Sequence, residues 1–346
     1  MTLLASRASE WRATPGSYAI RDLHVPEVKN AIRLYARNGQ SSAVLTRRAV
    51  NLARQSLYLT FRLLNRRHLK GAAIAVSSDH GKSWATWALA SSLHASWADG
   101  WLSISLPSSN LAHRTGHAAG ATWIIDNGIR INWSKINAVR LSVEGQDKHA
   151  SVALDVAELG LADVDRRPAV AFVFDDGYTS ILPATEMMKA AGLKGNVALI
   201  GKCLQAPCSG NLDIAQAHAL QDGYGWDMVN HSMYHVDAVR NYVGPMSLAA
   251  YGRDVARGQA ELVKAGLNSA PNWFIYPHGS TNRRLLQVVA ARYPFARTTM
   301  PGEERIPFAD PHRVRTFELH YPKDTSEGSG DATALTPASE VLVVRR

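Results

Sequence analysis

From Ser56 onward, apolar and polar positions alternate over short stretches. Leu57–Leu64, Ala72–Val76, Trp101–Leu106, Asn137–Val143 and Ala150–Val156 read as strands. Turn-forming clusters separate them: Ser77-Ser78-Asp79-His80-Gly81, Pro107-Ser108-Ser109-Asn110 and Glu144-Gly145-Gln146-Asp147. Short strands with turns between them and no helical period predict an antiparallel sandwich of the jelly-roll kind over residues 46–163. Residues 1–45 mix charged and apolar groups without a clean period and are expected to form a lead-in. The charged stretch Leu159–Arg167, closed by Pro168, is expected to be the boundary.

Beyond Pro168 the period changes. Val170–Phe174 is a short apolar run, and Ser180–Ala191 then carries Ile181, Leu182, Met187, Met188 and Ala191 at helical spacing, closed by Gly192. A strand at Gly195–Ile200 follows, then a helix at Leu212–Gln221 with Asn211 as its expected cap. Gly225–Asn230 reads as a strand, Leu248–Ala265 as a long helix, Ile275 as the centre of a strand and Arg283–Tyr293 as a helix. Alternating units of this length predict an α/β domain over 164–346 built as a parallel (β/α) barrel.

Composition changes this picture little: 46% hydrophobic and 19% charged residues are ordinary for a soluble globular chain. No stretch approaches the ~18 continuous apolar residues of a membrane span. The apolar run in Met1–Arg7 is too short for a secretory signal. The net charge of +9 suits an anionic partner, yet the basic residues fall in scattered pairs such as Arg47-Arg48 and Arg66-Arg67. Nucleic-acid binding is therefore not expected, and attraction to an acidic glycan is the better use of the charge. Trp84, Trp87, Trp97, Trp101, Trp123 and Trp133 all lie in the predicted sandwich, as core filler or as faces for stacking on a sugar ring. Cys203 and Cys208 leave two readings open, a pair of loop thiols or a local disulfide, and a disulfide would imply an oxidising compartment.

Candidate chemistry sits at two places. The apolar run at Phe174 ends in Asp175-Asp176-Gly177, and side chains leaving the C-terminal end of a parallel strand are where such folds place their chemistry. Neighbouring residues of a strand face opposite sides, so one acid is expected to bind a cation and the other to move a proton. His231 and His235 stand four residues apart, which on a helical turn would put both rings on one face for one metal ion. Where a metalloprotease helix carries Glu after its first His, this chain has Ser232, so the base must come from the aspartates.

With these residues in view, the chain resembles the polysaccharide deacetylase family, the NodB-homology carbohydrate esterases. Phe174-Asp175-Asp176-Gly177 matches the first motif, with Val173 where Thr or Ser is usual, and His231-Ser232-Met233-Tyr234-His235 matches the second. Phe274-Ile275-Tyr276-Pro277-His278-Gly279 is similar to the Tyr-Pro-x-Gly branch of the third. The resemblance covers residues 168–320. It implies a distorted barrel and a hydrolase that removes N-acetyl or O-acetyl groups from an acetylated polysaccharide. It further implies that Asp176, His231 and His235 hold a divalent metal, with zinc expected, and that Asp175 is the general base. The main-chain N–H of His278 would hold the oxyanion, Ser232 would steady the histidines, Tyr276 and Pro277 would shape the groove, and Arg297 is a candidate to orient Asp175. The upstream sandwich resembles accessory sugar-binding domains, and the substrate class implies action at the cell surface or outside it. Oligomeric state is not legible.

One motif departs from the family. Its general acid is a His in Leu-x-His on the last strand, whereas Val341–Arg346 ends in arginines, and Leu319-His320 is expected to fall too early. Two other functions therefore stay open: a glycan binder that keeps the metal site but has lost turnover, and an amidohydrolase of small cyclic amides. His80, His94, His113, His117, His149, His218 and His312 show no paired spacing with an acid and are read as ordinary surface or core residues.

Overall fold

The computed structural model describes residues 2–5, 7–15, 20–25, 28–37, 39–89, 100–106, 124–125, 131–146, 151–163, 168–243, 247–267, 272–301, 304–305, 308–319 and 339–345. The chain divides into two units, Met1–Arg167 with Arg305–Asp310 and Arg346, and Pro168–Glu304 with Pro311–Arg345.

The first unit is strand-rich, with two antiparallel sheets. One runs in the order Ile20–Val25, Val28–Arg37, Ser151–Asp163, Gln55–Leu64, Leu102–Leu106, with Thr2–Ala5 also on Ser151–Asp163. The other runs Ile124–Ile125, Ala85–Ala88, Leu69–Ser77, Ile136–Gly145, Gln40–Val50, Arg12–Ala13. Residues 1–45, expected as a lead-in, instead supply strands to both sheets, and Leu159–Asp163, expected in the boundary, continues a strand. Charge conceals the first of these. In Val28–Arg37, Ile32, Leu34 and Ala36 are buried, while Arg33 between them reaches across to Asp155.

Asp155 is fully buried and stands directly opposite Arg33 on one side and Arg62 on the other. It accepts from Arg33 Nε at 2.6 Å and Nη2 at 2.9 Å, and from Arg62 Nη2 at 2.8 Å. Hydrogen bonding to Asp155 raises the Arg33 pKa, against the opposing effect of burial. The Arg62 guanidinium also lies 4.7 Å from the centre of the Trp101 ring, and Arg140 lies 4.4 Å from that of Trp84. Trp87 is fully buried, 5.9 Å from Trp133. Of these four rings only Trp87 is buried outright, the other three being partly exposed, and Trp97 and Trp123 lie outside the described residues.

The second unit is α/β. Strands Pro168–Phe174, Gly195–Leu199, Asp227–Asn230, Trp273–Ile275, Phe295–Pro301 and Val314–Leu319 pair in parallel in that order. Helices Leu182–Ala190, Gly201–Gln205, Ile214–His218, Ser247–Lys264 and Arg283–Ala290 fall between them. Strand alternation sends Val173, Ala198, Val229 and Ile275 into one core, and Phe174, Val197, Leu199 and Met228 into another with Trp226. The cap of Ile214–His218 is Asp213, which accepts from the Gln216 N–H, and Asn211, the expected cap, is used elsewhere.

Ser339–Arg345 runs antiparallel between Pro168–Phe174 and Val314–Leu319. This direction corrects the sequence reading of the terminus. Arg345 stands opposite Pro168, at the end of the strand remote from Asp175 and Asp176, so it does not occupy the place of the missing histidine. Leu319 pairs with Ser339, which pairs with Phe174, so the three backbones are level. His320 lies outside the described residues. Cys203 and Cys208 form a disulfide, with Cα atoms 5.0 Å apart.

Candidate metal centre

The strand carrying the acids stops at Phe174, so Asp175 and Asp176 sit in the turn beyond it and pleating does not separate them. Asp176 and Gly177 take φ of 66° and 70°, a left-handed bend, and the two carboxylates have different partners, the imidazoles of His231 and His235 for Asp176 and Arg297 for Asp175. The positive φ favours glycine at position 177, and a Cβ there would come within 2.7 Å of Leu199 Cδ2, so that the end of that side chain would have to move. Asn211 Nδ2 donates to the Asp176 carbonyl at 2.6 Å, and the Leu212 N–H donates to that of Gly177 at 2.8 Å.

His231 follows the strand Asp227–Asn230, with its N–H bonded to the Leu199 carbonyl at 3.0 Å. The segment from His231 to His235 is not helical, which corrects the expectation of a shared helical face. Ser232 and His235 both have left-handed torsions, φ 64° and 52°, and the coil they make brings the two rings to 4.7 Å. Ser232 Oγ accepts the His235 N–H at 3.1 Å. The helix Ser247–Lys264 comes close beneath: a Cβ at Gly258 would lie 2.5 Å from Asn230 Oδ1 and 2.8 Å from the Met233 nitrogen.

The ligand atoms of Asp176, His231 and His235 all lie within 4.8 Å of one another. Asp176 Oδ1 is 2.8 Å from His235 Nε2 and 3.3 Å from His231 Nε2. His231 Nδ1 sits 2.8 Å from the Ile275 carbonyl, which can only accept, so Nδ1 carries the proton and Nε2 turns its lone pair toward Asp176. Two lone pairs facing each other at that distance repel unless a proton or a metal ion lies between them. The residues therefore fit a divalent metal of the kind bound by nitrogen and carboxylate donors. Burial would raise the Asp176 pKa, but hydrogen bonds from the two imidazoles and their charge, once they are protonated in the absence of a metal, outweigh it and hold it well below the usual carboxylate range. The charge of Asp176 in turn pushes the Tyr178 hydroxyl above its ordinary value.

Asp175 is ion-paired with Arg297, which is fully buried on the strand Phe295–Pro301. His278 has φ 57°, and its exposed ring packs 4.7 Å from that of His235. Tyr276 and Pro277 lie beneath the surface: Tyr276 packs edge-on against Phe274 in the core beside Tyr251 and Val255, so neither forms a groove wall. The exposed side chains at the rim are Tyr178, Tyr234 and His278. Sequence reasoning missed Asn211 and Asp254. For Asp254 a signal exists, since it lies on the same buried stripe as Tyr251, Val255, Gly258 and Leu262.

Residues 162–293 match the family model for polysaccharide deacetylase. Over that stretch the chain matches a polysaccharide deacetylase domain. Among solved structures it is similar to the deacetylase PplD of Streptococcus pyogenes in complex with acetate. That likeness has 20% identity and a TM-score of 0.35, and covers 42% of this chain and 63% of that one. IcaB from Ammonifex degensii is 19% identical with TM-score 0.36, covering 41% of this chain and 66% of the other. The deacetylase domain of BpsB from Bordetella bronchiseptica is 18% identical with TM-score 0.34, covering 41% and 68%. The deacetylase unit thus spans somewhat less than two thirds of PplD. No curated protein matches the chain.

Proposed function

We propose that this chain is a metal-dependent hydrolase that removes acetyl groups from a polysaccharide. The observation that carries this reading is the convergence of Asp176 Oδ1, His231 Nε2 and His235 Nε2 on one point, with a second carboxylate, Asp175, beside it in the same turn. Asp176, His231 and His235 would hold the ion, for which zinc is the expected identity. Bound there, a zinc ion polarises an acyl carbonyl and acidifies water.

The rest falls to the chain. Asp175 takes the proton of the attacking water, and its buried pairing with Arg297 fixes the direction in which the carboxylate points. The His278 N–H is the oxyanion donor, on a left-handed bend beside His235. Both N-acetyl and O-acetyl groups suit this arrangement, and an alcohol leaves with less help from an acid than an amine does. The finer architecture we infer is a distorted barrel of the deacetylase type, preceded in sequence by a jelly-roll-like sandwich, to which residues 2–45 also give strands, that serves as a glycan-binding accessory domain. The Cys203–Cys208 disulfide supports action in an oxidising compartment, at the cell surface or beyond it. No described helix is long and apolar enough to cross a membrane.

Acetate release from chitooligosaccharide, poly-N-acetylglucosamine and O-acetylated glycans, with and without chelator, tests the reading. Asp175→Asn is expected to keep its metal and to lose about 10²–10⁴-fold in rate. Metal and glycan binding without acetate release on any panel would favour the non-catalytic binder.

A further inference from the structure

The loop that carries the two histidines has an awkward backbone. With Ser232 left-handed, the N–H groups of Met233 and Tyr234 have no helical carbonyl to meet, and Met233 and Ser232 are almost fully buried. One side chain answers both. Asp254, 3% exposed on the helix Ser247–Lys264, accepts the Met233 N–H at 2.9 Å and the Tyr234 N–H at 3.1 Å on its Oδ1. Its Oδ2 accepts the Tyr242 O–H at 3.0 Å. On the opposite side of the loop, the carbonyls of Ser232 and Met233 accept from the Gly201 and Lys202 N–H groups at 3.0 and 2.9 Å. The segment between the imidazoles is thus clamped through its donors by Asp254 and through its acceptors by the helix Gly201–Gln205.

We infer that Asp254 is a positioning residue for the metal centre: by holding two consecutive N–H groups of the loop, it sets the separation and aim of His231 and His235. This rests on the metal-site reading proposed above, and it assigns Asp254 no contact with substrate or ion. Its closeness depends on Gly258, one turn along, because a side chain there would push helix and loop apart.

The test measures zinc dissociation constants by chelator competition on the full chain, alongside the visible spectrum of the cobalt-loaded protein and acetate release. Asp254→Ala is expected to weaken zinc about 10–100-fold and to alter the cobalt bands. Asp254→Asn keeps an oxygen for the two N–H groups and is expected to stay within a few-fold of wild type. Tyr242→Phe, which removes only the donor on the other oxygen, is expected to leave zinc affinity unchanged. Wild-type affinity in Asp254→Ala would overturn the inference. So would equal loss in Asp254→Asn and Asp254→Ala with equally lowered unfolding midpoints, the mark of a residue that serves the fold alone. A wild-type chain that binds zinc yet frees no acetate, with Asp254→Ala still weakened, would sink the proposed reaction and sustain the role of Asp254.

Discussion

Asp155 and Asp254 are buried carboxylates, one in each unit of the chain, and the two are held in opposite ways. Asp155, in the strand-rich unit, lies between two guanidinium groups in a row across three neighbouring strands. Asp254, in the deacetylase unit, is surrounded by neutral donors: two backbone N–H groups, the Tyr242 hydroxyl and Ser232. A charge matched by charges welds strands that are far apart in sequence. A charge matched by amide dipoles leaves its strands alone and organises one loop. Asp155 should therefore report on folding and Asp254 on the metal site, and each prediction below tests that division.

The largest effect is expected at Asp155. Replacing it by alanine leaves Arg33 and Arg62 facing each other with only 19% of each side chain exposed. Breaking a buried pair from one side costs about 3–5 kcal/mol, and the residual solvent at the two heads argues for the lower end. Urea unfolding of Asp155→Ala should show that loss, while zinc affinity under native conditions stays at the wild-type value. Replacing Asp155, Arg33 and Arg62 together by apolar residues of similar size should restore most of the stability, because no unpaired charge then remains. A fall in zinc affinity as large as that of Asp254→Ala would break the comparison.

This division also explains what could be read from the sequence. Asp175, Asp176, His231 and His235 are legible because each motif is local, and the alternation of strands and helices after Pro168 is legible for the same reason. Residues 1–45 were not, since Arg33, set between the buried Ile32 and Leu34, answers to a partner, Asp155, that lies 122 residues away. The means of bringing the histidines together were not legible either. Spacing suggested a helical turn, whereas left-handed torsions at two non-glycine residues, Ser232 and His235, do the work. Such torsions persist only where the surroundings impose them, and here those surroundings are Asp254 and the N–H groups of Gly201 and Lys202. Asp254 stood in plain view on the apolar stripe of its helix, and a buried acid on such a stripe is the kind of exception that marks a site.

An intermediate effect is expected from the covalent support of the same loops. The segment closed by Cys203 and Cys208 touches both halves of the metal centre. At its start, Gly201 and Lys202 bond to the histidine loop; just past its end, Asn211 bonds to the Asp176 carbonyl and accepts no cap role. Converting both cysteines to serine releases a loop of six residues, worth about 2 kcal/mol by loop-closure entropy. That loss should appear in urea unfolding of the deacetylase unit, together with a several-fold weakening of zinc that reductant reproduces in wild type. A stability loss with zinc affinity intact would restrict the staple to folding and place the burden of alignment on Asp254 alone.

The smallest effect, and the one that separates the two acids most cleanly, is the stability of metal-free Asp254→Asn. Burial raises the Asp254 pKa, and the Tyr242 hydroxyl and the N–H groups of Met233 and Tyr234 only partly oppose it. The titratable groups facing it, Tyr242 and Tyr251, are themselves pushed upward and stay neutral over the acid range. A carboxyl raised on folding lends stability that is complete below its unfolded value and lost as pH rises through its folded one. Relative to Asp254→Asn, wild type should thus lose ground as pH climbs through that interval and hold level above it. At neutral pH the variant should match wild type within about 1 kcal/mol, the scale of one exchanged hydrogen bond. Thermal midpoints across the acid range would show it, and a variant that instead weakens steadily toward neutral pH would mean that the Asp254 charge holds the fold together as that of Asp155 does.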